Sequence, residues 1–219
     1  MAIGTLAILG GSGKQGSGLA RRLAAAGVQV IVGSRDPQRA RETIAGWGPL
    51  PTSVDAVDND AAASAADTVV LAVPFGTLDA LLERIAPRLT SGAVVIDLTV
   101  PLTFEAGKMA MIEVAEGSAA EHVRAQLPAT VAVAGAFKTV PAHLLDRVEV
   151  PLHCDEFVCG DSDAARARAV ELVGCVAGLR AVDVGPLWRA RSIEHLTALA
   201  VAINRRHHIH DARFRVIGL

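Results

Sequence analysis

A glycine-rich turn near the N-terminus constrains this chain more than any other feature. The turn lies between an apolar, strand-like run and an Ala-rich stretch, and it contains the pattern G-x-G-x-x-G. In that context Gly11 permits a tight turn, Gly13 lets the backbone approach a pyrophosphate, and Gly16 allows close packing of the helix on the strand. The helix N-terminus offers unpaired N–H groups and a partial positive charge to phosphates. The pattern predicts a dinucleotide site rather than a merely flexible loop, formed by Gly11, Ser12, Gly13, Lys14, Gln15 and Gly16.

Short apolar runs rich in β-branched residues recur along the chain and alternate with Ala-rich stretches that suit helices. Continuous apolar strands that alternate with helices are typical of a parallel sheet covered on both faces. We therefore predict an α/β fold, with a doubly wound parallel Rossmann sheet in residues 1–145 and a small C-terminal α-helical cap or dimerisation domain in residues 146–219. The predicted strands are Thr5–Leu9, Gln29–Val32, Thr68–Val73, Ala93–Leu98 and Thr130–Val133, and Glu156–Cys159 is a candidate for one more.

The end of the second predicted strand distinguishes between the two nicotinamide cofactors. It reads Val32-Gly33-Ser34-Arg35 at the place where an NAD enzyme would carry Asp or Glu for the ribose hydroxyls. Ser34 and Arg35 instead offer a hydroxyl and a guanidinium, which suit a 2′-phosphate, and Arg39 lies close enough along a helix to join them. Asp36-Pro37 is typical of a helix N-cap and first residue rather than of a ribose ligand. The sequence therefore predicts NADP(H), with a solvated surface charge as the alternative for Arg35.

Composition excludes several function classes. The chain has no Tyr, so the Tyr/Lys acid–base pair of short-chain dehydrogenases is excluded, and it has no G-x-S-x-G nucleophile elbow. Its 3 cysteines form no C-x-x-C pair, and the His207-His208-x-His210 run is interpreted as a solvated helix end rather than a metal site. A net charge of −2 gives no general attraction to nucleic acid or anionic membranes. No apolar run approaches the roughly 18 residues that span a bilayer, and we expect a cytoplasmic protein.

Lysine is scarce in this chain, so the role of Lys138 can be considered individually. It follows a predicted strand and stands beside Thr139-Val140-Pro141. Two interpretations stay open from the residues alone: a catalytic or substrate-facing amine, and an ordinary surface lysine at the end of a strand.

Several short motifs occur in order over nearly the whole chain. They are Gly10–Arg22, Val32-Gly33-Ser34-Arg35, Val73-Pro74-Phe75, Ser118-Ala119-Ala120-Glu121, Ala136-Phe137-x-Thr139-Val140-Pro141, Val158-Cys159-Gly160-Asp161, Asp183-x-Gly185-Pro186-Leu187, and the ending from Asn204-Arg205-Arg206 to Gly218-Leu219. Together these motifs resemble the NADPH-dependent F420 reductases, also called F420H2:NADP oxidoreductases.

The resemblance implies hydride exchange between NADP(H) and the 5-deazaflavin coenzyme F420, in a homodimer. Because a deazaflavin carries a hydride as a two-electron unit, such a protein mainly needs to stack two flat rings with the reacting carbons about 3–3.5 Å apart. A site without an obvious acid–base pair fits this chemistry. The cofactor-binding residues implied are those of the glycine turn together with Ser34, Arg35, Arg39, Val73, Pro74, Phe75 and Ala142. The second-substrate residues implied are Lys138, Thr139, Val140 and Phe214.

Two places depart from the pattern of the family that the chain resembles. Lys138 stands where members often carry Asn or His, and His210-Asp211-Ala212-Arg213-Phe214 replaces a His-Gly-Ala-Gly-like tail. Asp211 and Arg213 add bulk and restrict φ beside the implied second-substrate site. Two alternatives stay open: an NADPH-dependent reductase of a flavin, an imine or another small acceptor, and a non-catalytic module that senses the NADPH/NADP ratio.

Overall fold

The computed structural model of the protein describes residues 3–105 and 108–219. In these ranges strands and helices alternate along most of the chain, as the sequence predicts. In chain order they are β1 (Leu6–Leu9), α1 (Lys14–Ala25), β2 (Val30–Ser34), α2 (Pro37–Ala45), β3 (Val54–Asp58), α3 (Asn59–Ser64), β4 (Thr68–Leu71), α4 (Leu78–Ile85), β5 (Val94–Asp97), β6 (Leu102–Glu105), β7 (Lys108–Met111), α5 (Ala119–Gln126), β8 (Ala132–Gly135), α6 (Ala142–Leu145), β9 (Cys154–Gly160), α7 (Asp163–Gly174), β10 (Leu179–Pro186) and α8 (Ala190–His207).

Eight of these strands form one sheet in the order β10-β9-β8-β5-β4-β1-β2-β3, and β6 and β7 form a separate antiparallel hairpin. Neighbours in the large sheet run parallel except β8 and β9. One apolar cluster covers one face with residues of α1, α2 and α7, and a second covers the other face with residues of α3, α4, α5 and α8. The doubly wound, mostly parallel Rossmann sheet that the sequence predicts is confirmed.

The C-terminal segment differs from the helical cap that the sequence predicts, because β9 and β10 lie within it and extend the large sheet. All 7 residues of β9 are buried, Asp155 and Glu156 among them. The strand is longer than the predicted Glu156–Cys159 run. The prediction is too short because two adjacent acidic residues interrupt the apolar pattern from which a buried strand is predicted. No interruption of the sheet marks residue 145, and the division into two domains stays a prediction.

The last helix, α8, lies in the segment for which the sequence predicts helix, and its residues Ala190 and Ile193 belong to the second apolar cluster. His208 follows it with a left-handed backbone, φ +52°, and ends the helix. His207, His208 and His210 are exposed there, in agreement with the interpretation as a solvated helix end. Among the described residues, no helix combines the length and the apolar character needed to cross a membrane.

Candidate active site

The candidate site lies along one edge of the large sheet. The parallel strands β1, β2, β4, β5 and β8 all end at this edge, and β9 begins there because it runs antiparallel to β8. In open α/β sheets, ligands bind outside the carboxyl ends of the strands. The residues that follow these ends are the glycine turn after β1, Arg35 after β2, Val73 near the end of β4, Leu98 after β5 and Ala136 after β8.

The tight turn falls on Gly10 rather than on Gly11, where the G-x-G-x-x-G pattern places it. Gly10 has φ +81°, and a Cβ there would lie 2.6 Å from the carbonyl oxygen of Ala72. Gly11 is required for a different reason, since its Cβ would lie 2.8 Å from the carbonyl oxygen of Ile8. A Cβ on Gly16 would lie 2.4 Å from the Gly10 carbonyl oxygen, which agrees with its predicted role in close packing.

Of the glycines in this turn, Gly13 has the most space for a side chain within the protein. Among the described residues, its Cβ would meet only the Gly10 carbonyl oxygen, at 3.2 Å. Gly13 is exposed, and no side chain in the described ranges caps the helix that it precedes. The first α1 amide that bonds back into the protein is that of Ser17, which donates to the Gly13 carbonyl at 2.8 Å. The amides of residues 14–16 are therefore the helix-terminal donors that a bound anion can accept from.

The end of β2 presents two free guanidinium groups. Arg35 and Arg39 are exposed, and neither side chain has an ion-pair partner within residues 3–105 and 108–219. Asp36 is already engaged as the N-cap of α2, where its carboxylate accepts the Arg39 amide at 3.0 Å. Ser34 is buried beside them, and its hydroxyl donates to the Asp36 carbonyl at 3.0 Å. The predicted N-cap role of Asp36 is confirmed, and this edge carries positive charge where an NAD site would carry a carboxylate.

The segment after β4 borders the glycine turn. A Cβ on Gly10 would lie 2.9 Å from Val73 Cγ1, so the two turns are in van der Waals contact. Val73 and Phe75 are half-buried, and Pro74 between them is exposed. The predicted nicotinamide-lining residues therefore stand directly beside the predicted pyrophosphate-binding residues.

Phe75 rests against a histidine that is bound by two carboxylates. Its ring centroid lies 5.7 Å from that of His122, whose Nε2 is 2.7 Å from Asp79 Oδ1 and whose Nδ1 is 3.0 Å from Glu116 Oε2. Burial alone would lower the pKa of His122, but the hydrogen bonds to Asp79 and Glu116 outweigh it and raise that pKa. The arrangement ties the segment after β4 to α4 and to the loop before α5.

Lys138 lies in a buried ion cluster rather than at the surface. Its Nζ is 2.6 Å from Asp97 Oδ2 and 3.1 Å from Glu194 Oε1, and it donates to the Thr99 carbonyl at 2.5 Å. The side chain has 0% exposure. Burial alone would lower the pKa of Lys138, but the charges of Asp97 and Glu194 raise it. The interpretation of Lys138 as an ordinary surface lysine is therefore wrong, because its amine lies out of solvent between the end of β5 and α8. The interpretation as a substrate-facing amine stays a prediction.

The second-substrate residues implied by the resemblance meet at the start of β9. Glu156 accepts the Lys138 amide at 3.0 Å and the Thr139 hydroxyl at 2.9 Å, and burial raises the pKa of Glu156 to about 7. The preceding residue, Asp155, donates its amide to the Phe214 carbonyl at 2.9 Å. Thr139 is buried like Lys138, whereas Phe214 is half-buried.

Comparison with known proteins agrees with this geometry. The family model described as "NADP oxidoreductase coenzyme F420-dependent" matches residues 5–101. The chain is 38% identical to the F420-dependent NADP reductase of Methanothermobacter thermautotrophicus, over 98% of this chain and 95% of that protein. It is 31% identical to the F420-dependent NADP reductase of Methanocaldococcus jannaschii, over 98% of each. The chain belongs to this family.

A solved structure shares the fold of this family member along almost its entire length. The crystal structure of a candidate F420-dependent NADP reductase from Arthrobacter sp. FB24 has a TM-score of 0.83 and covers 96% of this chain and 98% of that one. Its sequence identity is 23%, so the likeness concerns the fold.

Sequence reasoning missed three buried acids of this family member's site: Asp97, Glu156 and Glu194. Asp97 ends a fully apolar strand at the carboxyl edge, which is a signal that could have found it. Glu194 carries no such signal, since it occurs within an ordinary helical pattern. Ala142 is half-buried and begins α6, which packs against α1.

Proposed function

We propose that this protein transfers a hydride between NADP(H) and the deazaflavin coenzyme F420. The observation that carries the proposal is the positive sheet edge, where the helix-terminal amides of α1 adjoin the exposed guanidinium groups of Arg35 and Arg39. The end-to-end similarity to F420-dependent NADP reductases supports the choice of the second substrate.

The turn and the end of β2 supply the groups that NADP(H) needs. The amides of residues 14–16 and the exposed ammonium of Lys14 would bind the pyrophosphate, which can approach closely because Gly13 has no side chain. Arg35 and Arg39, with the Ser34 hydroxyl, would bind the 2′-phosphate. A planar guanidinium matches two phosphate oxygens at once, which is why this edge favours NADP over NAD.

The second substrate would lie against the segment after β4 and the segment formed by residues 138–142, with Phe214 beside them. A bound deazaflavin accepts or releases the hydride as a two-electron unit, so this chain needs to align two rings and exclude water rather than to supply an acid–base pair. Lys138 would contribute by holding its segment in place, since its buried amine is fully engaged with Asp97 and Glu194.

Absorbance of F420 in the presence of NADPH tests the proposal. We expect the deazaflavin absorbance to bleach with NADPH and much more slowly with NADH. Turnover of NADPH only with a free flavin or an imine would replace F420 by another acceptor. Tight NADPH binding without turnover of any acceptor would support a sensing module instead.

We also propose that the protein is a homodimer. Large apolar side chains are exposed along α8 and on both sides of it, with Trp188 at 47%, Leu199 at 49% and Ile209 at 41% exposure. A second copy of the chain would remove these side chains from water. Light scattering at assay concentrations should give twice the mass of the 22.7 kDa chain, and a monomeric mass would contradict the proposal.

A further inference from the structure

Gln15 joins the glycine turn to the segment that begins the second-substrate region. It is the second residue of α1, and its side-chain Nε2 donates to the carbonyl oxygen of Phe137 at 2.7 Å. The two residues are 122 positions apart in the chain. The backbone amide of Gln15 stays among the helix-terminal donors, so one residue belongs to both regions.

Phe137 has a backbone conformation that needs support. Its φ is +56°, and its side chain is fully buried. A bulky residue rarely adopts the left-handed region, and such a conformation persists where the surroundings hold it in place. Three contacts provide this support: Gln15 binds the Phe137 carbonyl, Glu156 accepts the Lys138 amide at 3.0 Å, and the Thr197 hydroxyl donates to the Lys138 carbonyl at 2.9 Å. Only the first of these comes from the dinucleotide turn.

Two further residues of α1 dock the helix onto the same region. Gly18 and Arg22 lie 3 and 7 positions after Gln15, on one face of the helix. A Cβ on Gly18 would lie 2.6 Å from Leu145 Cβ. The buried Arg22 donates from Nε to the Leu145 carbonyl at 2.9 Å and from a terminal nitrogen to the Leu144 carbonyl at 2.8 Å. Helix α1 is therefore held against residues 137–145 at its beginning, middle and end.

We propose that Gln15 is a positioning residue that fixes segment 137–140 relative to the glycine turn and thereby couples the binding of the dinucleotide to that of the second substrate. This inference rests on the proposed function in so far as it names segment 137–140 as the second-substrate face. NADP(H) bound to the α1 amides restrains the first turn of the helix. That restraint reaches the Phe137 carbonyl through the Gln15 side chain.

Gln15→Met removes the donor and keeps the length of the side chain, and Gln29→Met is a matched control because Gln29 is exposed at the opposite edge of the sheet. With full-length protein, we expect the NADPH dissociation constant of Gln15→Met to stay within about twofold of wild type, since the amides remain. The KM for F420 should rise about three- to tenfold, as expected for one lost hydrogen bond, with a smaller change in kcat. Bound NADP⁺ should also tighten F420 binding less in Gln15→Met than in wild type.

Amide hydrogen exchange tests the same coupling without a second substrate. In wild type and Gln29→Met, NADP⁺ should slow exchange in both the glycine turn and residues 137–141. In Gln15→Met the protection of the turn should persist and that of residues 137–141 should be lost. These residues should also exchange faster in the ligand-free variant.

The outcomes separate the inference from the proposed function. If F420 is not reduced by any of the three proteins, the proposed function fails, while hydrogen exchange still decides the coupling. Equal exchange of residues 137–141 in Gln15→Met and Gln29→Met would overturn the inference, whatever the acceptor is. A general loss of protection across the whole of Gln15→Met would also overturn it, because Gln15 would then be a structural residue only.

Discussion

Replacing Arg35 by Ala tests the preference for NADP(H) over NAD(H) at a side chain whose removal should not disturb the fold. The guanidinium is exposed and, in the part of the chain that the structure describes, has no ion-pair partner. The free energy of unfolding should therefore change by less than about 0.5 kcal/mol. Any change in cofactor affinity then reports a lost contact with the ligand rather than a damaged fold.

The magnitude follows from the kind of contact. A hydrogen bond to a charged group contributes about 1.5–3 kcal/mol, which corresponds to roughly a 10–150-fold loss of NADPH affinity. Solvent screens an exposed charge, and Arg39 keeps a second cation at the same place, so we expect the lower end, about tenfold. NADH lacks the 2′-phosphate, and its affinity should change by less than about twofold. The difference between the two cofactors should shrink in high salt.

Fluorescence titration of the wild type and of Arg35→Ala with NADPH and with NADH measures these effects. Arg41→Ala is a matched control, because Arg41 also lies on the exposed side of this region but its guanidinium pairs with Asp55 at 3.1 Å. This control should leave both dissociation constants unchanged. Equal losses for NADPH and NADH in Arg35→Ala would refute the assignment of the 2′-phosphate to the end of β2.

Three other perturbations address the turn and the buried acids. Gly13→Val should abolish NADP(H) binding in a folded protein, because a Cβ there meets only the Gly10 carbonyl among the described atoms but blocks the pyrophosphate; retained affinity in a titration would contradict this. Lys138→Met should lower the free energy of unfolding in urea by about 3–5 kcal/mol, because it leaves two buried carboxylates unpaired, whereas the exposed Lys14 changed to Met should not; a loss below about 1 kcal/mol would contradict the ion cluster. Burial raises the pKa of Glu156 to about 7, so the folded state binds the Glu156 proton more tightly than the unfolded state does. The stability that this proton contributes is fully present below the unfolded pKa near 4.5. It is lost as the pH rises through 7. Urea unfolding between pH 5 and 8 should show this loss, about 1–3 kcal/mol, in wild type and not in Glu156→Gln, and parallel profiles would exclude Glu156 as its source.

The parts of the fold that could be predicted from the sequence are those that depend on residues close together in the chain. The glycine turn, the apolar strands and the N-cap of α2 are local patterns, and the structure confirms each of them. Gly10 shows the limit of such a pattern. The motif fixes the spacing of Gly11, Gly13 and Gly16, but the close approach of the Ala72 carbonyl that makes Gly10 necessary comes from a neighbouring strand.

Strand β9 was harder to predict because its polar residues find their partners far along the chain. Asp155 pairs with Arg180 at 2.7 Å, and Glu156 binds the Lys138 amide and the Thr139 hydroxyl. A pair of acidic residues in a short run is usually evidence of exposure, since a buried carboxylate without a partner is costly. Here the partners exist, but only the folded sheet brings them together.

The position of Lys138, where family members often carry Asn or His, also depends on partners that lie far along the chain. A buried ammonium is stable only with paired charge, and Asp97 and Glu194 provide it at 2.6 and 3.1 Å. Two carboxylates facing one ammonium leave an excess negative charge unless one of them holds a proton, and burial raises the pKa of Glu194 in that direction. The three residues come from the end of β5, the segment after β8 and the first turns of α8. A lysine at position 138 is therefore compatible with this core only together with its acids. In the structure this lysine is one member of a three-residue ion cluster that supports the segment beside the candidate site.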